Sequence, residues 1–295
     1  MSGDNRVAEL QGRLASAGYI AERGLSATLL LFTELQRPLL LEGDAGVGKT
    51  EIARVLAQVF DCPLIRLQCY EGLDVNAAVY EWNYQHQLLA IKLLEQGKIN
   101  PDSAEHQIFS KKYLLERPLL QAITQSRSPV LLIDEIDRAD EEFEAFLLEL
   151  LSDYQVSVPE LGTITAVTRP FVVLTSNGTR ELSDALRRRC LYHYVEYPEF
   201  DKELRIVNAR VPEIGPQLAR QVVTFVQELR RIDLRKKPGI AETLDWAAAL
   251  LRLDIHTLDA EPQTVMDSLV CLLKTREDSA QLDAVEVERL VARAV

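Results

Sequence analysis

The stretch Gly43-Asp44-Ala45-Gly46-Val47-Gly48-Lys49-Thr50 constrains this chain more than any other. It fits the pattern G-x-x-x-x-G-K-[ST]. The apolar run Pro38-Leu39-Leu40-Leu41 precedes it and reads as a buried strand. After it, Ile52, Val55, Leu56 and Val59 keep helical spacing. Strand, glycine turn and helix form one arm of an α/β sheet. In that setting the glycines let successive backbone N–H groups curl around an anion, and the helix N-terminus adds partial positive charge. Lys49 then reaches the β- and γ-phosphates of a nucleotide, and the Thr50 hydroxyl ligates Mg²⁺. The plainer alternative is a glycine turn with no ligand.

Bulk properties narrow the classes. At 295 residues the chain can bury a full core, in one large or two smaller domains. Its net charge of -12 argues against a protein whose main task is gripping nucleic acid, although a local basic patch is compatible with it. The N-terminal residues lack a basic-then-apolar leader pattern, and no apolar run approaches the ~20 residues of a membrane span. Cys62, Cys69, Cys190 and Cys271 form no C-x-x-C, which suits reduced thiols in a cytoplasmic protein. His86, His106, His193 and His256 are scattered, and none is assigned to a metal.

Along the chain, residues 5–34 read as helical with a break at Gly18. A second strand is expected over Cys62–Gln68. Residues 71–116 are helical in composition, carry Tyr80, Trp82 and Tyr84, and break at Gly97 and Asn100-Pro101. A helix is expected from Arg117 to Ile123. Pro129 to Glu135 reads as an apolar strand closed by two carboxylates, as in a parallel sheet covered on both faces. Phe143, Phe146, Leu147, Leu150 and Leu151 mark the next helix, with Glu141, Glu142, Glu144 and Glu149 on its solvated side. A hairpin over 155–167, a core strand Phe171–Asn177, a Ser183-capped helix to Arg189 and a last strand Leu191–Val195 follow. Beyond Tyr197-Pro198 strand signals cease, and helical spacing appears in 201–209, 217–231, 240–253, 264–274 and 284–294. The expected division is therefore an α/β domain over 1–198 and an all-α domain over 199–295.

Three sets of polar residues complete a candidate site around the loop. Asp134 and Glu135 close an apolar strand, where parallel sheets place their ligands. In P-loop ATPases such an Asp holds Mg²⁺ and such a Glu polarises the attacking water. Alternatively, Asp134-Glu135-Ile136-Asp137 simply starts the next helix. Asn177 can orient the water as a neutral sensor, or serve as a turn residue in Ser-Asn-Gly. Arg187-Arg188-Arg189 offers an arginine finger for a neighbouring subunit, Arg189 first and Arg188 second, or a solvated or nucleic-acid-facing patch.

In this order, Gly43–Thr50, Leu132-Ile133-Asp134-Glu135, Thr175-Ser176-Asn177 and Ala185-Leu186-Arg187-Arg188-Arg189 resemble the AAA+ ATPases. Asp134-Glu135-Ile136-Asp137-Arg138-Ala139 is similar to the MoxR branch. Gln68 to Asp74, Tyr80 to Tyr84 and Pro238 to Trp246 look like its CoxD-type subgroup, whose genes accompany carbon monoxide dehydrogenase and related molybdenum hydroxylases. The resemblance covers nearly the whole chain. It implies a P-loop AAA+ core with a central parallel sheet, a helix-2 insertion at 71–116, a hairpin before sensor 1 at 155–167, and a small all-α lid. It implies ATP and Mg²⁺ as cofactors, a homo-oligomeric ring (a hexamer), a client protein such as a molybdenum hydroxylase, and a partner with a von Willebrand A-like domain. A cytoplasmic location is expected, or peripheral association with a membrane through partners. One departure stands out. Where MoxR proteins carry a sensor-2 arginine near Ser-Pro-Arg, this chain reads Pro238-Gly239-Ile240-Ala241, with Arg235, Lys236 and Lys237 nearby.

The leading expectation is an ATP-hydrolysing chaperone that remodels a client, assisting maturation of its metal cofactor. The alternatives are a nucleic-acid motor or clamp-loader-like ATPase, which the acidic balance counts against, and a non-catalytic nucleotide switch, which intact Lys49, Asp134, Glu135 and Asn177 count against.

Overall fold

The computed structural model describes residues 3–95 and 109–295. Packing divides the chain into two units. The first takes Met1–Leu10, Arg23–Glu42 and Thr50–Tyr194, and the second takes Gln11–Glu22, Gly43–Lys49 and Val195–Val295.

In chain order up to Tyr194 the elements are α1 (Gly3–Ser16), α2 (Arg23–Leu35), β1 (Leu39–Glu42), α3 (Lys49–Val59), β2 (Leu64–Gln68), α4 (Val75–Val79), β3 (Tyr80–Trp82), α5 (Tyr84–Glu95), β4 (Leu114–Glu116), α6 (Pro118–Thr124), β5 (Val130–Asp134), α7 (Glu141–Asp153), β6 (Gln155–Val158), β7 (Gly162–Thr165), β8 (Phe171–Ser176), α8 (Asp184–Arg189) and β9 (Leu191–Tyr194). The first unit is built on a five-stranded sheet in the order β2-β5-β8-β1-β9, with every pairing parallel. All five residues of β5 are buried, the burial expected of a parallel strand covered on both faces. At one edge of this core Phe171 packs against Phe60 and Phe32, ring centroids 5.0 and 5.9 Å apart.

The expected hairpin is β6 and β7, antiparallel, with Val158 opposite Gly162. Ser183 caps α8, its hydroxyl accepting from the Leu186 amide. Two expectations change. Tyr80–Trp82 is not helical but a strand, paired antiparallel with β4 so that Trp82 lies opposite Leu114. A three-residue strand whose partner is some thirty residues away leaves no local period to read, because its stability comes from cross-strand neighbours. Glu144 is not on a solvated face of α7. It is buried, and its carboxylate pairs with Arg180 and accepts the Ser183 amide at 3.0 Å. The breaks expected at Gly97 and Asn100-Pro101, and His106, lie outside the described residues.

In the second unit the chain after Tyr194 is helical: α9 (Phe200–Arg210), α10 (Pro216–Leu229), α11 (Ile240–Arg252), α12 (Pro262–Ser268), α13 (Arg276–Gln281) and α14 (Ala284–Ala294). Its core centres on Trp246 and Phe225, ring centroids 4.8 Å apart, with the Trp246 indole N–H donating to Ser268 at 2.8 Å. Helix α13 is absent from the sequence expectations, being too short to show a period. Its Thr275 cap and its Asp278 carry its function. The Asp278 carboxylate accepts the Arg235 and Lys236 amides at 2.8 and 3.2 Å and so fixes the loop ahead of α11.

Candidate functional site

The glycine loop belongs to the second unit, where its conformation is set by close backbone contacts. A Cβ on Gly43 would stand 2.2 Å from the Val195 carbonyl oxygen. Gly46, at φ +83°, meets Gly239 backbone to backbone, and a Cβ on Gly239 would sit 2.7 Å from Gly46 Cα. The Ile240 amide donates to the Gly46 carbonyl at 3.0 Å, so the start of α11 is bonded to the loop. Here lies the reason for Pro238-Gly239-Ile240: only glycine allows this approach. Lys49 is buried, and its Nζ donates to the Gly43 and Asp44 carbonyls at 2.7 Å each. A cleft of about 490 Å³ has Asp44, Ala45 and Gly46 on one wall and Tyr197, Arg235, Lys236, Lys237 and Lys274 among the rest. The basic run Arg235-Lys236-Lys237 thus lines the same cleft as the loop.

The carboxylates belong to the first unit. The β5–β8 register pairs Ile133 with Leu174, which brings Asp134 beside Thr175. Thr175 Oγ1 donates to Asp134 Oδ1 at 2.5 Å, and Thr50 Oγ1 donates to the same oxygen at 3.1 Å. The other oxygen, Oδ2, takes both Nη2 and Nε of Arg66, at 2.6 and 3.0 Å. Arg66 and Gln68 are i and i+2 on β2 and share a side of that strand. Gln68 Nε2 donates to Glu135 Oε2 at 3.1 Å, and Arg138 Nη1 reaches the same oxygen at 3.2 Å. Glu135 holds a left-handed backbone, φ 55° and ψ 52°, and its side chain caps no helix. Helix α7 is capped by Asp140 instead, whose Oδ1 accepts the Phe143 amide at 2.8 Å. A non-glycine residue held at positive φ is a cost that active sites commonly carry.

Asn177 follows β8 directly, and its amide donates to Asp137 Oδ2 at 3.2 Å. That oxygen also accepts from the Thr179 amide at 3.0 Å and the Thr179 hydroxyl at 2.6 Å. Burial pushes the Asp137 pKa up, but the Thr179 and Asn177 donors outweigh it and leave it below the ordinary Asp value. A depressed folded pKa contributes stability above the unfolded pKa, lost as pH falls through the folded one. Between pH 5 and pH 3, wild-type protein is therefore expected to lose more unfolding free energy than an Asp137→Asn variant does. Urea titrations at the two pH values measure the difference, and equal losses would refute the assignment.

The three arginines of α8 separate. Arg187 pairs with Glu42 at 2.9 Å. Arg189 Nε donates to Ser152 Oγ at 2.7 Å and its Nη1 to the Ala185 carbonyl at 3.0 Å. The Arg188 side chain is 82% exposed, with Asp184 at 3.7 Å. The thiols of Cys69 and Cys190 are both pushed up to about 12 by burial, and for Cys69 also by Asp134, Asp137 and Glu135. Neither is a thiolate near neutral pH. Among the described residues no group of His, Cys, Asp and Glu is placed to hold a metal ion by itself.

Sequence reasoning missed Arg66, Gln68, Thr175 and Asp137. Arg66 and Gln68 did leave a signal, two polar residues at period two near the end of a strand otherwise apolar.

The sequence model of the AAA domain, dynein-related subfamily, matches residues 38–190. This chain belongs to that family. Its relatives include an uncharacterized protein of Staphylococcus aureus strain USA300 and its counterpart in strain bovine RF122 / ET3-1. Each is 26% identical over 263 residues, spanning 86% of this chain and 91% of the relative. An AAA domain implies a nucleotide-hydrolysing ATPase that uses ATP with Mg²⁺, in a family that is typically oligomeric. Among the described residues no helix is long and apolar enough to cross a membrane.

Proposed function

We propose that this AAA protein is a MoxR-type chaperone of the CoxD-like subgroup, which hydrolyses ATP to remodel a client and assists metal-cofactor maturation in a molybdenum hydroxylase. The observation that carries the ATPase reading is the pair Thr50–Asp134. Their oxygens stand 3.1 Å apart, close to the about 3.0 Å edge of an octahedron with ~2.1 Å bonds, so the donors present suit Mg²⁺. Bound there, Mg²⁺ would neutralise charge on the phosphates and leaving group. Gly43, Asp44, Ala45, Gly46, Val47 and Gly48 would cradle the phosphates with their amides. Lys49 would exchange two carbonyl acceptors for phosphate oxygens, the stronger partners for an ammonium. Glu135, oriented by Gln68, would take the proton of the attacking water. Asn177, held through Asp137, would orient that water.

The ring is read as a homo-hexamer in which α8 supplies the arginine finger. Arg188 is exposed and could reach a neighbouring subunit directly, whereas Arg189 would first have to leave Ser152 and Ala185. The proposed functional division keeps 1–198 as the nucleotide-binding domain and 199–295 as the lid. The client and a von Willebrand A-domain co-chaperone rest on the resemblance of Gln68–Asp74, Tyr80–Tyr84 and Pro238–Trp246. Affinity capture with a Glu135→Gln variant in ATP tests the client reading. Enrichment of a molybdenum hydroxylase over a Lys49→Ala control is the expected result, and enrichment of none refutes it.

Arg66 makes a separate prediction. Its guanidinium neutralises Asp134 through Oδ2. Arg66→Met is expected to lower the Mg²⁺ concentration for half-maximal turnover several-fold, since a competing cation at 2.6 Å is gone. An unchanged Mg²⁺ titration would show that Arg66 only packs.

A further inference from the structure

The first unit holds a second cleft, of about 440 Å³, lined by residues of the segment between β2 and β5 and by the β6–β7 turn. Tyr80, Trp82 and Tyr84 supply its aromatic lining. Tyr80 and Trp82 meet edge to face, ring centroids 6.1 Å apart. Three carboxylates reach it from three places: Asp74 ahead of α4, Glu81 on β3, and Glu160 in the turn. Among the described residues, the one cationic side chain in its lining is Arg117, which is paired with Glu81. Burial and the Glu160 carboxylate push the Tyr80 hydroxyl up, a sign that the phenol and this carboxylate lie close.

The chemistry of that lining is selective. Its charge is negative, so it repels phosphates and nucleic acid. Among the described residues its carboxylates form no set that could ligate a metal ion. What remains is an organic cation, for which aromatic faces beside carboxylates are the favourable surroundings. The volume suits one or two side chains rather than a folded element. Tyr84 is 64% exposed, and Leu88, one turn further along α5, is 59% exposed. The aromatic lining therefore continues into an apolar strip.

We propose that this cleft binds an arginine or lysine side chain of a partner protein, with a neighbouring apolar residue of the same segment resting on Tyr84 and Leu88. None of its lining residues belongs to the proposed nucleotide site, so it adds a recognition surface to the client reading without depending on ATP hydrolysis.

The test is fluorescence anisotropy with the full chain, without nucleotide. The probes are a labelled peptide of alternating arginine and leucine and its twin with citrulline for arginine, which keeps shape and loses charge. The arginine peptide is expected to bind saturably, and the citrulline twin about tenfold more weakly. Glu160→Gln and Tyr84→Ala, both at exposed positions, are each expected to weaken the arginine peptide several-fold while ATP turnover stays at wild type. Glu213→Gln, which removes an exposed carboxylate from the other unit, should change nothing. Equal binding of the twin overturns the proposal. So does an equal loss in Glu213→Gln, which would mean general attraction to a chain of net charge -12. A shift in sedimentation of Glu160→Gln, with no peptide effect, would assign the cleft to a second copy of this chain and likewise overturn it. A Lys49→Ala variant that fails to turn over ATP yet binds the peptide normally separates this site from the ATPase reading.

Discussion

Replacing Glu135 by Gln is expected to cut ATP turnover by about two to three orders of magnitude while nucleotide affinity stays within a few-fold of wild type. The substitution keeps the shape and removes the base. Its backbone demand is unchanged, since Gln at φ 55° meets the same strain as Glu. Gln68 Nε2 still finds an acceptor in the amide oxygen, in place of the carboxylate 3.1 Å away. What is lost besides the proton acceptor is the pair with Arg138, whose side chain is 54% exposed. A pair that open to solvent contributes about 0–1 kcal/mol, so the variant should fold as wild type does. Turnover by phosphate release and affinity by a fluorescent nucleotide give the two numbers. Lys49→Ala is the counterpart, expected to lose nucleotide binding outright. Retained turnover in Glu135→Gln would sink the base assignment and would return attention to Asp134.

Glu203→Leu is expected to destabilise the helical unit by about 3–5 kcal/mol, the usual cost of stranding a buried charge. Glu203 is fully buried and Arg230 nearly so. The carboxylate accepts from Arg230 Nη1 and Nη2 at 2.6 and 2.7 Å, from Gln227 at 2.6 Å and from Thr243 at 2.9 Å. Arg230 Nε donates on to the Pro238 carbonyl at 2.8 Å, and its guanidinium lies 4.8 Å from the Tyr197 ring centroid. One ion pair thus ties α9, α10 and α11 to the loop that lines the cleft beside Gly46. In the variant Arg230 keeps its charge but loses its counter-ion. The double variant Glu203→Leu/Arg230→Met is expected to regain most of the stability, because two well-packed apolar groups can replace a desolvated pair at little net cost. Its nucleotide affinity should remain weaker than wild type, since Pro238 loses its donor. Chemical denaturation gives the stabilities. A single variant as stable as wild type would show that water reaches Arg230 and that the pair holds nothing together.

Much of this molecule is legible in the chain because its signals are local. The strand-loop-helix around Gly43–Thr50, the apolar run ending at Asp134 and the cap at Ser183 each depend on neighbours within a few residues. Period and turn chemistry therefore predict them, and the structure places them there. The alternation of strands and helices up to Tyr194 likewise follows from pattern, and with it the parallel sheet.

Only the tertiary structure decided which polar groups meet. No period assigns Arg66 to Asp134 or Gln68 to Glu135, because the register of β2 on β5 brings them together. The acidic run of α7 reads as solvated until Arg180 arrives from the loop after β8 and buries Glu144. Gly239 looks like an ordinary turn glycine until Gly46 is seen against it. In each case the partner is remote in sequence, and desolvation makes the pairing obligatory: a buried charge or a crowded backbone tolerates one neighbour and no other. By itself the sequence determined an α/β chain with a phosphate-type loop and a carboxylate pair at a strand end. The fold decided how those carboxylates are held and why the loop ahead of α11 must carry glycine.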